Sequence, residues 1–384
     1  MADAVRQFED AFAAWLGATH AFAFWKGRVA LYAILRGLGV GAGDEVILPG
    51  YTCVVAVNPI MYLGAKPIYV DIEPVTYNIN PGLIEAKITP RTRVILAQHT
   101  YGYPAEMEAI LDVANRHGLP VVEDSCLAPG STYKGRKTGT FGLAAFWSFQ
   151  WNKTCTTGIG GMATTNDADL APKIEQLGRE EALRPRFAEA AMLAAERVVH
   201  RATVYPKSIM VVQSIFRWLV DHKVVVGSSA TAEYKQAADP EFFKTMSRGQ
   251  ARAGLHQLRR LEDNLAHRRH MTRLYDTLLD EQGWPRPRIP SHIDPVLVRY
   301  PVRVADKAAA LALARKELVE LGTWFECPLH QALVALEKYE YHAGMCPNAE
   351  KAAREVVNLP THPRAKERHA RESVEVIARI GPAA

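Results

Sequence analysis

The sequence predicts an α/β protein in which a large domain with a mostly parallel sheet precedes a smaller α+β domain. Over roughly the first half of the chain, short apolar runs alternate with helical patterns, an order typical of a parallel sheet covered on both faces. From residue 169 to about residue 245 the pattern is mostly helical, and from residue 248 a long helix is followed by a mixture of both types. A chain of 384 residues is also longer than a single domain with one hydrophobic core usually is. We therefore expect a large domain at residues 1–245 and a small domain at residues 246–384.

The individual elements follow from the spacing of the apolar residues. Strands are expected at residues 45–48, 67–70, 94–97, 120–123, 144–148 and 161–165. Helices are expected at residues 28–38, 54–63 and 105–117, and residues 169–245 are mostly helical. In the small domain the pattern predicts one helix over residues 248–279, a strand over 296–304, and helices over 307–321 and 349–358. In a parallel sheet of this kind, ligands bind beyond the carboxyl ends of the strands.

Composition and charge favour a globular enzyme and argue against binding to nucleic acids or membranes. The chain is 48% hydrophobic and 23% charged, and its net charge of +5 suits a small anionic ligand but is too weak for nucleic acid. Its five cysteines form no CxxC pair, so we expect neither disulfides nor a metal site, and a reducing cytoplasm as the location. Residues 1–17 carry acids within an amphipathic pattern, unlike a secretory signal, and no apolar run approaches the ~18 residues of a membrane span.

The stretch around Lys153 carries the strongest chemical signal. The strand predicted at residues 144–148 is followed by a single lysine and then by Gly158, Gly160 and Gly161. A nucleophilic lysine needs partial desolvation and a rigid turn, and glycines beside it let another group approach the backbone closely. Taken alone, the same residues equally suit a surface lysine in a glycine-containing hairpin.

A second candidate is Asp124, which follows the strand predicted at residues 120–123 and so lies at the carboxyl edge of the sheet. A buried carboxylate there needs a partner, because an unpaired charge in a low dielectric is costly. A protonated pyridine nitrogen would be such a partner, and the ion pair would make the pyridine ring a better electron sink. A helix N-cap aspartate is the alternative interpretation.

Together with these segments, an ordered set of motifs resembles the DegT/DnrJ/StrS family of sugar aminotransferases, which are fold-type-I enzymes dependent on pyridoxal 5'-phosphate (PLP). The resemblance covers most of the chain except about residues 185–240. The matching runs are GDEVILPGYTC, AQHTYG, VVEDSCLAPG, YKGRKTGTFG, SFQWNK, MSRGQARAGL, CPLH and CPNAEKAAREVVNLPTHP. The resemblance implies the fold-type-I architecture, PLP as the cofactor and a homodimer with composite active sites.

The resemblance also implies roles for individual residues. Lys153 matches the lysine that forms a Schiff base with PLP, and Asp124 matches the aspartate paired with the pyridine nitrogen. Ser148 matches the serine that binds the cofactor phosphate. Gly27 matches the glycine whose backbone N–H faces that phosphate at a helix N-terminus, which is a natural anion site.

Further positions are expected to lie near the cofactor. Thr52 belongs to the family's strand-to-helix turn that lines the pocket, and His99 and Tyr101 fall on another family motif beside it. Arg28 stands where many relatives have threonine at the phosphate helix. A guanidinium at this position could bind the phosphate through two hydrogen bonds, or Arg28 could be an exposed residue of the first helical turn.

Several positions depart from the family pattern. Cys53 replaces the usual aromatic residue stacked on the cofactor ring, and Leu127 replaces the residue that bonds the ring hydroxyl. Ile159 replaces a glutamate of the glycine run, and residues 243–245 (Phe-Lys-Thr) replace an asparagine motif contributed across the dimer. These changes leave the lysine and the aspartate in place, so they indicate an altered specificity more than lost catalysis.

The implied reaction is the transfer of an amino group from an amino acid, glutamate or glutamine, to a keto group on a nucleotide-linked sugar. Two alternatives stay open: a non-sugar or less polar ketone or aldehyde as acceptor, and a degenerate relative that binds PLP without turnover. Related dehydrases have histidine in place of Lys153. A glycine run at residues 37–43 precedes its strand instead of following it, so a dinucleotide site is not expected.

The segment without resemblance, residues 187–233, contains an apolar stripe with helical spacing. Its members are Ile209, Met210, Val211, Val212, Ile215, Phe216 and Leu219. Such stripes are most often packed against the same domain or a dimer mate. Contact with a membrane surface or a lipid substrate is the alternative.

Overall fold

The fold is given by a computed structural model that describes residues 3–203, 218, 238–239, 241–285, 288–331 and 335–383. The strands are β1 (His20–Phe24), β2 (Glu45–Pro49), β3 (Thr52–Cys53), β4 (Lys66–Val70), β5 (Thr92–Gln98), β6 (Val121–Asp124), β7 (Thr132–Tyr133), β8 (Arg136–Lys137), β9 (Ala144–Ser148), β10 (Gly161–Thr165), β11 (Ile293–Asp294), β12 (Arg299–Arg303), β13 (Leu329–His330) and β14 (Val356–Pro360). The helices are α1 (Ala4–Leu16), α2 (Gly27–Gly37), α3 (Val54–Tyr62), α4 (Met107–Arg116), α5 (Leu170–Glu180), α6 (Phe187–Thr203), α7 (Arg248–Leu258), α8 (Leu261–Glu281), α9 (Lys307–Glu317), α10 (Pro347–Glu355) and α11 (Glu367–Ala378).

A seven-stranded sheet in the order β1-β10-β9-β6-β5-β2-β4 forms the centre of the large domain. Strands β9, β6, β5, β2 and β4 are parallel, whereas β10 is antiparallel to both of its neighbours. Side chains alternate between the two faces, so that Val46 and Leu48 of β2 pack into one core cluster and Ile47 packs into another. Helices α2, α3 and α5 cover the first face, and α4 covers the second. This confirms the predicted α/β fold class.

The small domain contains the antiparallel pair β12–β14, with α8, α9 and α11 packed around it. Residues 356–358, predicted to end a helix, instead begin β14, because the β-branched Val356 and Val357 pair with β12. The predicted strand over residues 296–304 is shortened to β12, and α9 ends at Glu317.

The helix predicted over residues 248–279 is wrong, because it is divided at residues 259–260 into α7 and α8. Helix α7 buries Ala251 against α1 of the large domain, whereas α8 turns to bury Met271 and Tyr275 in the core that includes the small domain. The division between the domains at residue 246 stays a prediction.

The residues of the predicted apolar stripe, between positions 209 and 219, lie outside the described part of the chain. Helix α6 is the described beginning of that segment, and it exposes Phe187, Val198 and Val199. Of the helices that are described, none is both long enough and apolar enough to cross a membrane.

Candidate active site

The loop between β9 and β10 holds Lys153 at the carboxyl edge of the sheet. Its backbone N–H donates to the Gln150 carbonyl at 2.9 Å, which closes a tight turn. Its Nζ lies 4.9 Å from the centre of the Trp324 ring, in the geometry of a cation–π contact. Burial raises the pKa of both Asp124 and Cys53, and the positive charge of Lys153 opposes that effect at each. The structure therefore brings Lys153 and Asp124 together and adds Trp324 to them.

Asp124 ends β6 and is 7% exposed. Its Oδ1 accepts the backbone N–H of Cys126 at 3.0 Å. Burial raises the pKa of Asp124, and this hydrogen bond and Lys153 only partly offset the effect, so a second cation beside the carboxylate would be strongly favoured. Residues 125–128, including the buried Leu127, form a turn and no helix. Asp124 is therefore not a helix N-cap.

A candidate anion-binding site lies at the N-terminus of α2. A Cβ atom on Gly27 would lie 2.9 Å from Cβ of Ser148, so only glycine lets the first turn of α2 rest on the end of β9. Gly161 fits for the same reason, since its Cβ would lie 2.4 Å from the Lys26 carbonyl oxygen. The backbone N–H groups of a first helical turn attract anions. Gly27 and Ser148, separated by 121 positions in the sequence, thus meet at one corner of the site.

Arg28 follows Gly27 in the first turn of α2 and is 7% exposed. This burial excludes the interpretation of Arg28 as an exposed first-turn residue. Burial raises the pKa of both Cys53 and Tyr339, and the positive charge of Arg28 opposes the effect at each. Arg28 therefore lies between the start of α2, the strand β3 and the small domain.

These groups fit PLP as a set. Lys153 offers an amine for the aldehyde, and the buried carboxylate of Asp124 offers a counter-ion for a protonated ring nitrogen. The cradle formed by Gly27 and Ser148, which a Cβ atom would fill, offers a place for the phosphate. The amine, the carboxylate and the phosphate cradle lie at one edge of the sheet, because β6 and β9 end there and α2 begins there.

His99 is fully buried, and both of its ring nitrogens are engaged within the chain. Its Nδ1 accepts the backbone N–H of Ala105 at 3.0 Å, so the proton lies on Nε2, which donates to Glu123 at 2.9 Å. Glu123 also accepts three backbone N–H groups from residues 139–142, each at 2.7 Å. The pair of His99 and Glu123 fixes the loop after β8 to the end of β6. Because both ring nitrogens of His99 are already hydrogen-bonded, His99 could contact a cofactor only by stacking through the face of its ring.

Thr52 connects the site to the small domain. Its Oγ1 donates to Gln98 Oε1 at 2.6 Å, and its backbone N–H donates to the Pro328 carbonyl at 2.9 Å. Strand β3 pairs in parallel with β13, which belongs to the CPLH motif. The Tyr101 hydroxyl donates to the Trp324 carbonyl. The loop from α9 to β13 is thus fastened over the site by residues of the large domain.

The replacement at residues 243–245 is bound to its own chain. Lys244 forms ion pairs with Glu189 at 2.9 Å and Glu241 at 2.7 Å, and the backbone N–H of Thr245 donates to Leu183 at 2.9 Å. Phe243 stacks on Phe24. These contacts hold the segment against β1 and α6.

Sequence reasoning assigned no role to three residues that shape the lysine loop. Asn264 donates to the Thr154 carbonyl at 2.7 Å, and Gln250 donates to the carbonyl of the buried Ile159 at 2.7 Å, so both ends of the loop are fixed from α7 and α8. Trp324 is the third. Gln250 lies within the MSRGQARAGL motif, which indicated a resemblance to the family but did not indicate this contact. No local sequence signal singled out Asn264 or Trp324.

The parallel sheet, the helix start and the lysine loop define a fold-type-I transferase, the structural class of PLP-dependent aminotransferases. Residues 1–192 and 221–378 match the DegT/DnrJ/EryC1/StrS aminotransferase family, and the chain belongs to that family. This confirms the relationship expected from the motifs.

Individual relatives support the same grouping. The chain is 48% identical over 171 residues to GDP-perosamine synthase of Caulobacter vibrioides, a match that spans 44% of this chain and 46% of that relative. It is 32% identical over 361 residues to UDP-2-acetamido-2-deoxy-3-oxo-D-glucuronate aminotransferase of Pseudomonas aeruginosa, which spans 94% of this chain and 86% of the relative. The crystal structure of S. venezuelae DesV superposes with a TM-score of 0.78 at 26% identity, over 99% of this chain and 89% of that one.

Proposed function

We propose that this protein transfers an amino group from glutamate or glutamine to a keto group on a nucleotide-linked sugar, with PLP held on Lys153. The observation that carries the proposal is the placement of Lys153 beside Asp124 at the carboxyl edge of the sheet, opposite the Gly27–Ser148 corner. The match to a nucleotide-sugar aminotransferase over 94% of the chain supports the choice of acceptor. We place the reaction in the cytoplasm and assign it to a homodimer.

Each residue has a chemical task in this proposal. Bound PLP would supply the electron sink that stabilises negative charge on the substrate carbon. Lys153 Nζ, once free as an amine, carries a proton to and from that carbon. Asp124 holds a positive charge on the ring nitrogen, which also offsets the cost of its own burial. Ser148, Gly27 and Arg28 bind the phosphate.

The surroundings of Lys153, which is partly buried, include apolar side chains. Its ammonium lies over the Trp324 indole, and Cys53 is the partly buried neighbour where an aromatic ring is usual. A less polar site strengthens each charge interaction inside it. The same apolar lining favours a second candidate acceptor, a non-sugar or less polar ketone or aldehyde.

The test separates cofactor binding from acceptor choice. Borohydride reduction of the PLP-loaded protein, followed by peptide mapping, should place the cofactor on Lys153, and Lys153→Ala should lose both the adduct and the visible absorbance. Lys137→Ala is the matched control, because Lys137 lies away from the site beside Trp15. An adduct on another lysine would contradict the assignment.

The acceptor is identified in a second step. The PLP-loaded enzyme is first treated with glutamate so that it carries the amino group, and candidate acceptors are then added. We expect amino transfer to nucleotide-linked keto sugars, measured by loss of the amino group from the protein and by mass of the product. Faster transfer to cyclic ketones or aldehydes than to any nucleotide-linked sugar would favour the second candidate.

A further inference from the structure

A buried cluster of positive charge adjoins Trp324 on the side of the small domain. Arg268 is 2% exposed, and within the described part of the chain it donates only to neutral groups, among them the Val298 carbonyl at 2.8 Å and Thr361 Oγ1 at 2.9 Å. Burial, and then the neighbouring Arg299, lower the pKa of Arg268 to about 9, so it stays protonated at neutral pH. Two guanidinium groups are therefore held close together within the core.

The described residues place one carboxylate, that of Glu320, within ion-pair distance of these guanidinium groups, 3.6 Å from Arg299 Nη1. Burial alone would raise the pKa of Glu320, but His362 and Arg299 hold it below its usual value, so the group is ionised. His362 is hydrogen-bonded on both ring nitrogens, since its Nδ1 accepts the backbone N–H of Arg364 at 3.2 Å and its Nε2 lies 2.9 Å from Glu320 Oε2. Two positive charges thus face one negative charge, and an uncompensated buried charge is costly.

Arg299 stands at the margin of the candidate active site. Its guanidinium carbon lies 5.5 Å from the centre of the same Trp324 ring that Lys153 Nζ approaches at 4.9 Å. Gly322 permits this position, because a Cβ atom there would lie 2.9 Å from Arg299 Nη1. Within the described residues Arg299 makes the ion pair with Glu320 at 3.6 Å and no hydrogen bond, so its N–H donors are available.

An unused amide lies beside this guanidinium. Asn358 is fully buried, and neither its Oδ1 nor its Nδ2 forms a hydrogen bond of good geometry among the described residues. Its side chain faces the Tyr101 hydroxyl, where it partly offsets the rise in the pKa of Tyr101 that burial causes. A Cβ atom placed on Gly322, which would lie 2.9 Å from Arg299 Nη1, would lie 3.3 Å from Asn358 Oδ1, so the guanidinium and the amide flank the same glycine. A buried polar group without a well-formed hydrogen bond is uncommon in folded proteins, and a catalytic role or a bound ion is among the usual reasons for it.

We propose that Arg299, with Asn358, binds a carboxylate of the substrate that reacts at Lys153, and that it is a residue for substrate specificity. A carboxylate matches the planar fork of a guanidinium and brings the charge that balances the cluster. Glutamate and glutamine both carry such a group beside the amine that reacts, and a sugar acid as acceptor would carry one too. The inference rests on the proposed transamination for the identity of the substrate, whereas the anion subsite rests on the charges of Arg268, Arg299 and Glu320 and on the positions of Trp324 and Asn358.

The subsite is tested first by binding. The PLP-loaded protein is titrated with 2-oxoglutarate in a calorimeter, as wild type and as Arg299→Gln. We expect the variant to bind about 10-fold or more weakly, the usual consequence of losing a hydrogen bond to a charged group, with no change in PLP affinity. Arg303→Gln is the matched control, because Arg303 lies on the same strand and pairs with Glu355. Equal affinity for 2-oxoglutarate in wild type and Arg299→Gln would overturn the proposal.

The source of the carboxylate is tested by the donor reaction. Wild type should prefer glutamate over its α-amide by about the factor lost in binding, and Arg299→Gln should not discriminate between them. Arg299→Lys should recover part of the preference, and the effect should fall on KM for the donor more than on kcat. If Arg299→Gln leaves the donor KM unchanged but weakens binding of a sugar acid, the carboxylate belongs to the acceptor, which still supports the subsite.

Removing Arg299 alone leaves Glu320 buried beside a single arginine, so Arg299→Gln/Glu320→Gln is the second variant. It removes both charges and keeps the net charge of the cluster. A folded double variant that still separates glutamate from its α-amide would overturn the proposal. If the subsite binds 2-oxoglutarate through Arg299 but no nucleotide-linked sugar accepts an amino group, only the proposed acceptor has failed.

Discussion

Glu9 on α1 should make the protein less stable as pH rises from about 4.5 to about 7. Burial raises the pKa of Glu9 from 4.5 to about 7. The hydrogen bond that Glu9 Oε1 accepts from the backbone N–H of Ala23 at 2.8 Å lowers the pKa and so opposes part of this rise. Between these values the folded protein keeps the proton and the unfolded chain releases it, so the stabilisation is complete below 4.5 and lost above 7. The shift corresponds to about 3 kcal/mol, and partial solvent access reduces the expected effect to on the order of 2 kcal/mol.

A histidine masks this dependence in the wild type. Burial lowers the pKa of His200 from 6.5 to about 4, so its contribution to stability is present above 6.5 and lost as pH falls towards 4. The stability of the protein thus rises with pH through His200 and falls with pH through Glu9 over nearly the same interval. The wild-type profile alone is therefore shallow, and only a variant isolates Glu9.

Glu9→Gln is that variant, because its amide oxygen can still accept the Ala23 N–H. Urea unfolding of variant and wild type at about pH 5 and about pH 8 gives the free energy of unfolding. We expect the variant to gain on the order of 2 kcal/mol over wild type between the two pH values. Glu85→Gln is the control, since His117 and Arg116 lower the pKa of the exposed Glu85 and no such gain should appear. A difference between Glu9→Gln and wild type that is the same at both pH values would refute the reasoning.

Three further outcomes are expected. Asp124→Ala should fold and bind PLP but lose most of its turnover, measured by steady-state kinetics; unchanged kinetics would show that the carboxylate serves only the Cys126 turn. Arg28→Ala should weaken PLP binding by ~1–3 kcal/mol in a fluorescence titration, the scale of a hydrogen bond to a charged group, and an unaltered affinity would assign the guanidinium to packing. Light scattering should find a homodimer, and a fully active monomer would count against shared sites.

The part of the site that could be predicted is the part encoded by short runs of sequence. Lys153 and Asp124 each follow an apolar strand, and because parallel strands end at one edge, their proximity follows from the order of the elements. Gly27 and Ser148 were expected through the resemblance alone, and their contact depends on β1 returning beside β10. Their roles towards a cofactor stay predictions.

What could not be predicted depends on packing between distant segments. The division between α7 and α8 falls at Arg259 and Arg260, which are good helix formers, so no local residue ends the helix. Helix α7 stays in the core that contains α1, whereas α8 shares that core at Leu261 and Leu265 and then passes into the other core at Met271 and Tyr275. Trp324 and Arg299 likewise reach the site only through the small domain, and no motif marked either residue.

The pairing of β3 with β13 has a consequence for synthesis of the protein. The strands and helix that carry Gly27, Asp124 and Lys153 are all translated within the first half of the chain, but the loop that places Trp324 beside Lys153 is held by a strand at Leu329–His330. A growing chain that has passed Lys153 therefore still has an open site. A chain that ends before residue 330 lacks the strand that holds Trp324 beside Lys153, so we expect it to bind a cofactor less tightly than the full chain.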